Sequence, residues 1–467
     1  MTDKDRHTVD LLPVETDSDQ LLADAADRAR RYLATVGHRP VFPDPDAVGR
    51  LAAFDEPLPE APCDPGVTLA LLDEAGSPAT VATAGGRYFG FVTGGSLPIT
   101  VAANWLATAW DQNSAFPVMS PTAARLHRVA SGWLADLLGL PGDVTAVFVT
   151  GSAMANTAAL AAARDQQLAR AGWDVQADGL FSAPQLTVVV GGNAHSTLVR
   201  ALGVVGLGRE RVVRVPTDDQ GRIQADLLPE EVNGPTIVCA QAGEVNTGAF
   251  DPFPQIVAWA RRRQAWVHVD GAFGLWAMAD PSRAHLTAGL ADADSWAVDA
   301  HKTLNVPYDC GICLVRRADD LRRTFAATAG YLPPDEGLEL MHHTPQASQR
   351  ARQVEVWAAL RTLGRRGVAE LVARSCTHAQ HMAENLRQGG LEVLNEVVLN
   401  QVLARATSDQ QTRAMVDTVQ RDGTCWCGPT IWKGRPAMRI SISGWATSED
   451  DIETSAQAII AAAKRQS

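Results

Sequence analysis

The sequence predicts an α/β fold, in which a large domain with a mostly parallel sheet precedes a small C-terminal α+β domain. Short apolar segments alternate with helical segments between about residues 145 and 320, and strands joined by helices form parallel sheets covered on both faces. Beyond residue 349 a long helical segment, strand-like segments and a closing helix follow one another. The length of 467 residues is roughly three times that of a usual domain, so the chain has room for more than one structural unit.

Three regions follow in order along the chain. Residues 1–90 are rich in Pro, Asp and Ala and predict an N-terminal arm with short helices. Residues 91–350 hold the apolar segments TAVFVT, LTVVVG, RVVRVP, TIVCAQ and AWVHVD, which predict strands of the large domain. Residues 351–467 hold LEVLNE, VVLNQVLARA and AMRISISG between two helical runs, which predict the small domain.

The composition favours a small-molecule partner and a cytoplasmic location. The net charge is −12 and no basic cluster offsets it, which argues against nucleic-acid and membrane partners. Seven cysteines spread over the chain do not resemble a disulfide framework. The pair Cys310-x-x-Cys313 lies more than 100 residues from Cys425-x-Cys427, a spacing that predicts no metal site. The uncharged residues 144–163 contain polar residues and glycine, so they predict a strand, a turn and a buried helix rather than a membrane span.

Lys302 is one of only four lysines and the single lysine of the predicted α/β core. It follows a predicted strand and stands beside His301. A partly desolvated lysine at a strand end loses its proton more readily and can form a Schiff base with a carbonyl group. The alternative is an ordinary surface lysine.

Asp270 ends the predicted strand AWVHVD. In open α/β sheets, ligands bind beyond the C-terminal ends of the strands. If the ligand is pyridoxal phosphate, a carboxylate at this place pairs with the pyridine nitrogen and keeps it protonated. The alternative is an aspartate that caps the following turn.

Two strand-to-helix turns carry further candidates. Residues 150–157, TGSAMANT, place small residues at the start of a helix, where backbone N–H groups can bind a phosphate. They lack the spacing of the nucleotide-binding motifs, so nucleotides are not expected. His195 follows the strand LTVVVG and can stack on an aromatic ring. The alternative for His195 is a helix-capping or core histidine.

Five motifs in this order, GSAMAN, NAHST, AGEVNTGAFDP, HVDGAFG and DSWAVDAHKTLNVPYDCG, resemble the pyridoxal-phosphate-dependent group II amino-acid decarboxylases. That family includes aromatic-amino-acid and glutamate decarboxylases. The resemblance extends from about Gly85, through the YFGF segment at Tyr88, to GRPAMRISISGW near the C-terminus. It implies a fold-type I PLP-dependent transferase-like fold, an amino-acid substrate and a homodimer with active sites at the subunit interface.

The resemblance implies that Lys302 forms the Schiff base with the cofactor, that His195 stacks on its ring and that Asp270 binds its pyridine nitrogen. The full set of cofactor-binding residues that it implies is Thr93, Ser152, Ala153, Met154, His195, Asn246, Asp270, Ala272, Asp299, His301 and Lys302. Met154 stands where a hydroxyl is common, so one phosphate contact is expected from the backbone. Asp299 stands where the family often has Asn.

Three residues are expected to bind the substrate: Phe91, Phe116 and Arg439. The two aromatic rings permit a substrate with an apolar or aromatic side chain. The resemblance implies that Arg439 can bind a substrate carboxylate, and the alternative is a surface salt bridge. Phe91 and Thr93 match a segment that lines the active site of the partner subunit in the family.

Two departures from the family pattern concern the cofactor and the proton donor. Positions often held by consecutive threonines are Glu244, Val245 and Asn246, and Asn246 is the expected replacement for the missing hydroxyl. The family's catalytic loop carries a tyrosine that protonates the carbon left by CO2. The single tyrosine of YLPPDEGLELMHHTPQASQRAR is Tyr331, at its start, so we expect His343 to be the acid and Tyr331 to be the competing candidate. The alternative for the histidine pair at 342 and 343 is a solvated loop.

These residues predict that the protein removes CO2 from an L-amino acid and releases an amine. One alternative is a relative that uses the same cofactor for decarboxylation-dependent oxidative deamination, aldol-type C–C cleavage or transamination. Another is a cofactor-binding scaffold without turnover, against which the presence of both Lys302 and Asp270 argues.

Overall fold

The computed structural model describes residues 18–327, 330 and 339–465. The α-helices in these residues are α1 Ser18–Thr35, α2 Pro45–Gly49, α3 Pro65–Leu71, α4 Ser77–Ala79, α5 Pro98–Trp110, α6 Pro121–Leu137, α7 Ser152–Arg170, α8 Val175–Asp178, α9 Ser196–Val204, α10 Phe253–Arg263, α11 Ala318–Phe325, α12 Gln353–Gln388, α13 Asp409–Asp422 and α14 Glu449–Lys464. The strands are β1 Thr145–Val149, β2 Thr187–Gly191, β3 Val212–Val215, β4 Thr236–Gln241, β5 Trp266–Asp270, β6 Ser295–Asp299, β7 Gly311–Val315, β8 Glu392–Val393, β9 Gln401–Arg405, β10 Gly428–Trp432 and β11 Arg435–Ser441.

Seven strands form the large sheet, in the order β1-β7-β6-β5-β4-β2-β3. The pairs β2–β3, β2–β4, β4–β5 and β5–β6 are parallel. Strand β7 is antiparallel to both β1 and β6, so β7 alone runs against the others in this sheet. This topology confirms the α/β class and the mostly parallel sheet that the alternating pattern predicts.

Helices cover both faces of the large sheet because its central strands are apolar on both faces. Every residue of β4, β5, β6 and β7 is buried. One face packs against α7, α9 and α11, with Leu160, Leu198 and Leu321 in the shared core. The other face packs against α6, α10 and the first half of α12, with Leu134 and Ile256 in the core. This three-layer arrangement gives the site a rigid support.

The small C-terminal sheet is antiparallel, with the order β10-β11-β9-β8. It shares a core with α13, α14 and the second half of α12, in which Met382, Met415 and Ile459 are buried. This confirms the C-terminal α+β unit. Strand β10 is not among the predicted strands, because its sequence GPTIW begins with Gly and Pro, which are typical of turns.

Helix α12 joins the two units. It bends at Gly364, whose φ of 60° and ψ of −178° only glycine adopts readily. Val356 and Leu360, before the bend, pack in the large core, while Ala379 and Met382, after it, pack in the small core. We therefore propose a domain boundary inside this helix, and the expected division into residues 1–90, 91–350 and 351–467 stays a prediction.

The parallel strands bring several turns to one edge of the large sheet. Strands β1, β2, β4, β5 and β6 all end at this edge, where α/β folds bind their ligands. Gly311 begins the antiparallel β7 at the same place, and a Cβ on it would lie 2.3 Å from the carbonyl carbon of Gly151. Only a glycine allows this contact, which packs the start of α7 directly against the sheet edge. No helix in the described part of the chain combines the length and apolar character that crossing a bilayer requires.

Candidate active site

Lys302 and two neighbours form a charged group just beyond the end of β6. The Lys302 Nζ atom lies 2.9 Å from Asp299 Oδ2, and His301 Nε2 lies 3.5 Å from Asp299 Oδ1. The Lys302 side chain keeps 17% of its surface exposed, while Asp299 is buried. Burial alone would raise the pKa of Asp299, but the positive charge of Lys302 and the hydrogen bonds from Lys302 and Ser152 bring it below its usual value. The structure therefore holds an ionised carboxylate beside the predicted amine.

His301 is held in one orientation by residues of the following loop. The Cys310 N–H donates to His301 Nδ1 over 3.1 Å, and the Tyr308 ring stacks on the imidazole with centroids 4.3 Å apart. Since Nδ1 accepts, the ring hydrogen of neutral His301 lies on Nε2, which faces Asp299. Burial lowers the pKa of His301 and so favours this neutral form.

The start of α7 already binds an anion, which is the carboxylate of Asp299. The Ser152 N–H donates to Asp299 Oδ1 over 2.5 Å, and the Ser152 hydroxyl donates to Asp299 Oδ2 over 2.7 Å. The Met154 N–H donates to the carbonyl oxygen of Gly151 over 2.9 Å, inside the first helical turn. The Met154 N–H is therefore already bonded within the helix, and a phosphate that binds to Ser152 would share this residue with Asp299. The cofactor role of Ser152, Ala153 and Met154 stays a prediction.

Asp270 ends β5, and its carboxylate is buried against α7. Asn156 Nδ2 donates to one carboxylate oxygen and the Ala272 N–H to the other, each over 3.3 Å. Burial raises the pKa of Asp270, and the positive charge of Lys302 counteracts the rise. A buried carboxylate is stabilised by a cationic partner, and a protonated pyridine nitrogen is such a partner.

His195 caps the N-terminus of α9 and faces the same charged groups. The Thr197 N–H donates to His195 Nδ1 over 3.3 Å, and the Thr197 hydroxyl oxygen lies 2.6 Å from that nitrogen. Burial lowers the pKa of His195, and Asp270, Lys302 and Arg439 are among its electrostatic neighbours. His195 therefore caps α9, and its neutral ring lies among the site residues; its role in stacking on the cofactor stays a prediction.

Arg439 on β11 is a mostly buried cation with an unused donor. Its Nε has no hydrogen-bond partner among the described residues. Burial lowers the pKa of Arg439, and the negative charge of Glu244 raises it. Because the guanidinium lies mostly below the surface, the alternative of a surface salt bridge is disfavoured. A buried guanidinium near His195 is suited to bind a carboxylate.

Asn246 lies in the turn that follows β4. Its amide NH2 donates to Glu244 Oε1 over 3.0 Å, and its carbonyl oxygen accepts from the Thr430 hydroxyl over 2.8 Å. Glu244 also accepts the backbone N–H groups of Asn246 and Thr247. Both ends of the Asn246 amide are thus bonded to protein groups. Its expected role as a replacement for a hydroxyl on the cofactor stays a prediction.

Residues 90–95 lie against Lys302 of their own chain. A Cβ on Gly94 would lie 2.1 Å from the Lys302 carbonyl oxygen, so the two backbones touch. Thr93 is buried within this segment. The segment therefore packs on the backbone beside Lys302 of its own chain, and the expected role of Thr93 at the site of a partner subunit stays a prediction.

Phe91, in the same segment, is 64% exposed and stacks on Trp426 with centroids 5.4 Å apart. Trp426 also stacks on Tyr88, at 5.2 Å. The sequence motifs do not single out Trp426, which stands more than 300 residues later in the chain. Its stacking contact with Phe91 becomes visible only in the folded chain.

Phe116 and the two adjacent histidines form a second cluster. The rings of Phe116 and His342 meet edge-on with centroids 6.3 Å apart. His343 Nδ1 lies 2.9 Å from the Glu339 carbonyl oxygen, and His343 is an electrostatic neighbour of His127 on α6. Both histidines are buried, so the solvated-loop alternative is wrong. The roles of His343 as acid and Phe116 as substrate contact stay predictions, and Tyr331 lies outside the described residues.

Three buried polar residues behind Asp270 are site candidates that the sequence analysis missed: Asn156, His268 and Ser295. His268 could have been identified from the sequence. It lies two residues before Asp270, and alternate residues of a strand lie on the same face of the sheet. Asn156 lies within the quoted motif GSAMAN. Ser295 has no such signal, because its contact with His268 depends on the pairing of β5 with β6.

The residues present fit pyridoxal phosphate. Lys302 offers a partly exposed amine, and Asp270 offers a buried carboxylate without a cation bonded to it. His195 offers a neutral flat ring that interacts electrostatically with Asp270, Lys302 and Arg439. Within the described residues, no group of three or more potential protein ligands could hold a metal ion.

Known proteins with similar sequences and folds support pyridoxal phosphate as the cofactor. An aromatic-L-amino-acid decarboxylase of Bacillus atrophaeus is 27% identical over 297 residues, which are 60% of this chain and 58% of the relative. Tryptophan decarboxylase 1 of Oryza sativa subsp. japonica is 26% identical over 92% of this chain and 90% of its own. The crystal structure of Oryza sativa TDC with PLP and tryptamine superposes with a TM-score of 0.89 at 22% identity, covering 97% of this chain and 99% of that one. The likeness confirms the fold-type I PLP-dependent transferase-like fold.

A family model described as "Pyridoxal-dependent decarboxylase conserved domain" matches residues 80–406, which are more than half of the chain. The matched range includes the turn at the start of α7, the end of β5 with Asp270, and Lys302. The site geometry, the fold and this match agree on the cofactor. The chain belongs to the pyridoxal-dependent decarboxylase family.

Proposed function

We propose that this protein is a carboxy-lyase that removes CO2 from an L-amino acid and releases the amine, with pyridoxal phosphate as its cofactor. The observation that carries the proposal is the meeting of Lys302, Asp270 and His195 at the C-terminal edge of the large sheet, where they interact electrostatically. Membership of the decarboxylase family supports the same reaction.

Each of these three residues has its own task. Lys302 Nζ anchors the carbonyl carbon of the cofactor, and Asp299 positions that amine at the sheet edge. Asp270 holds a proton at the pyridine nitrogen, and the neutral imidazole of His195 lies against the ring face. When bound, the cofactor accepts into its ring the electron pair of the bond that breaks between Cα and the substrate carboxylate.

Arg439 and the aromatic pair at Phe91 supply the substrate contacts in this proposal. The unpaired Nε of Arg439 binds the substrate carboxylate, which orients the amino acid relative to the cofactor. Phe91 stacked on Trp426 forms an apolar wall, which supports a substrate with an apolar or aromatic side chain. His343 is the proposed donor of the proton that replaces CO2 at Cα.

A homodimer is part of the proposal. Helix α5 exposes a row of large apolar side chains, with exposed fractions of 38% for Ile99, 44% for Trp105, 55% for Leu106 and 43% for Trp110. A surface of this kind is stable in water when another apolar surface covers it. A second copy of the chain, related by a two-fold axis, covers it with the same residues. The compartment in which the protein works stays a prediction.

The test is one incubation in which four products are measured. Purified protein with pyridoxal phosphate is given L-amino acids with aromatic, aliphatic and acidic side chains, and CO2, amine, aldehyde and ammonia are quantified. We expect CO2 and amine in equal amounts for at least one aromatic or aliphatic substrate. Equal amounts of CO2, aldehyde and ammonia would instead identify oxidative deamination, and a keto acid without CO2 would identify transamination.

Lys302→Ala should abolish turnover, since it removes the amine that anchors the cofactor and leaves the core packing intact. Borohydride reduction of the wild type should attach the cofactor to Lys302, as read by peptide mass spectrometry. Lys433→Ala is the control, because Lys433 is an exposed lysine paired with Asp219. Attachment of the cofactor to Lys433, or an active Lys302→Ala variant, would contradict the proposal.

A further inference from the structure

A chain of four hydrogen bonds runs through the core to Asp270. Trp266 Nε1 lies 2.8 Å from Ser295 Oγ, and Ser295 Oγ lies 2.9 Å from His268 Nδ1. His268 Nε2 lies 2.8 Å from Asn156 Oδ1, and Asn156 Nδ2 lies 3.3 Å from Asp270 Oδ2. All five side chains are buried, with exposed fractions between 0% and 5%. We call Trp266, Ser295, His268 and Asn156 the relay.

The directions of these bonds follow from the groups at the two ends of the chain. The Trp266 indole has an N–H and no acceptor, so Ser295 Oγ accepts from it. At the other end Asn156 Nδ2 faces Asp270 and Asn156 Oδ1 faces His268 Nε2. Nε2 therefore carries the ring hydrogen of the neutral imidazole, and His268 Nδ1 accepts from the Ser295 hydroxyl. Burial lowers the pKa of His268 to about 3, which keeps the ring neutral.

The orientation of the Asn156 amide is determined by Asp270. The ionised Asp270 carboxylate has only acceptors, so it needs the amide NH2 as donor. The amide oxygen then faces His268 Nε2 and accepts its hydrogen. A flipped amide would place two donors together at His268 and two acceptors together at Asp270. The bonds therefore all donate in one direction, toward Asp270.

We propose that the four relay residues are positioning residues, which hold the Asp270 carboxylate ionised and aimed at the pyridine nitrogen of the cofactor. The proposal deepens the proposed function and rests on it for the identity of the cofactor. Asn156 donates to one carboxylate oxygen of Asp270 and the Ala272 backbone N–H donates to the other, and each oxygen keeps a lone pair for a further partner. Donors that point at a buried carboxylate favour its charged form, which opposes the effect of burial on Asp270. A chain of buried, mutually satisfied hydrogen bonds also restricts the rotation of its last member.

The test combines the affinity for the cofactor with the tautomer of His268. The dissociation constant of pyridoxal phosphate is measured by equilibrium dialysis, and the tautomer is read from nitrogen-15 NMR of histidine-labelled protein without cofactor. Asn156→Asp keeps the shape but puts a second carboxylate beside Asp270, and we expect it to weaken binding about 100-fold. Ser295→Ala removes the hydroxyl that orients His268. We expect a mixture of tautomers and binding weakened about 10-fold.

Ser455→Ala is the matched control, because Ser455 is fully buried in the small unit and its hydroxyl has no hydrogen-bond partner among the described residues. It should leave both measurements unchanged. Melting curves of the cofactor-free variants establish that they fold. Trp266→Phe removes a single N–H of the relay, and we expect the same changes in tautomer and cofactor binding as for Ser295→Ala. It replaces Ser295→Ala in the test if that variant does not fold.

Two results would overturn the positioning role. One is cofactor binding within about twofold of the control in both Ser295→Ala and Asn156→Asp. The other is a hydrogen on Nδ1 of His268 in the wild type. A wild type that binds no pyridoxal phosphate at all would instead refute the proposed function, and the positioning role with it, so the two failures are distinguishable.

Discussion

Asp270 and Asp299 are two buried carboxylates at the ends of neighbouring strands, and their surroundings shift their pKa values in opposite directions. Burial raises the pKa of Asp270, whose direct hydrogen-bond donors are neutral. Asp299 has Lys302 beside it, and the charge of this lysine helps to bring the pKa of Asp299 below its usual value despite burial. Two carboxyl groups with different surroundings can serve different tasks. Asp299 positions an amine, and Asp270 is available for a ring nitrogen.

The buried histidine His127 on α6 should make the folded protein less stable in acid. Burial lowers its pKa to about 3, from about 6.5 in an exposed histidine. The unfolded chain therefore binds a proton below pH 6.5 that the folded chain does not bind. Stability is lost as the pH falls, by about 2 kcal/mol at pH 5 for this one residue. His127→Phe should reduce the loss of unfolding free energy between pH 7 and pH 5 by about that amount.

Urea unfolding of the wild type and of His127→Phe at both pH values measures this difference. His381→Phe is the control, because the side chain of His381 is 44% exposed. An equal loss of stability in the wild type and in His127→Phe would show that His127 is not buried as a neutral ring. The aromatic replacement keeps the edge-on contact with Phe148, so a packing defect should contribute little.

At the scale of elements, close backbone contacts assemble the site. The segment 90–95 touches the loop that carries Lys302, and the start of β7 touches the start of α7. Glycines allow both contacts, since a side chain would occupy the space between the backbones. The turn after β6 is therefore held between α7 and the segment 90–95, which restricts where Lys302 can lie.

Gly94→Ala should disturb this arrangement. The added Cβ would lie 2.1 Å from the carbonyl oxygen of Lys302, so one of the two backbones has to move. Overpacking of this kind costs about 1–3 kcal/mol. We expect a lower unfolding free energy and weaker binding of pyridoxal phosphate, measured by urea unfolding and equilibrium dialysis.

Gly132→Ala, in the middle of α6, is the matched control, because a Cβ there would have no atom within 4 Å. Alanine favours the helix over glycine by about 1 kcal/mol, so this variant should be as stable as the wild type or more stable. Unchanged stability and cofactor affinity in Gly94→Ala would mean that the segment does not pack on Lys302.

At the scale of the whole molecule, α5 stands between the interior and the outer surface. Its inner side packs on α12, where Asn104 donates to Glu355 over 2.6 Å. Its outer side carries the exposed apolar row that the proposed dimer covers. The segment 90–95, which contacts Lys302, directly precedes this helix. Dimerisation is thus expected to affect the site as well as the surface.

Leu106→Glu should separate the subunits. A carboxylate in the centre of a covered apolar surface loses its hydration without gaining a partner. Sedimentation equilibrium should give twice the chain mass for the wild type and the single chain mass for this variant. Leu58→Glu is the matched control, since Leu58 is 91% exposed and lies before α3, outside this row. A wild type with the single chain mass, or a dimeric Leu106→Glu variant, would refute the proposed interface.

Much of the fold could be predicted because its signals are local. The strand-turn-helix pattern around residues 144–163 is visible in the order of apolar, small and polar residues, and the structure places β1 and α7 there. Lys302 stands out because lysines are rare in this chain, and Asp270 because it ends an apolar strand. These signals need no knowledge of which strand lies beside which.

The relay could be identified only from the tertiary structure. Ser295 meets His268 because β6 pairs with β5 in one register, and a shift by one residue would turn Ser295 to the other face of the sheet. Trp426 reaches Phe91 only because the small unit packs beside the segment 90–95. Such contacts join residues far apart in the chain, and their partners depend on packing that no local pattern contains. The sequence by itself determined the fold class, the family resemblance and the candidates Lys302 and Asp270, whereas the tertiary structure decided which groups surround and orient them.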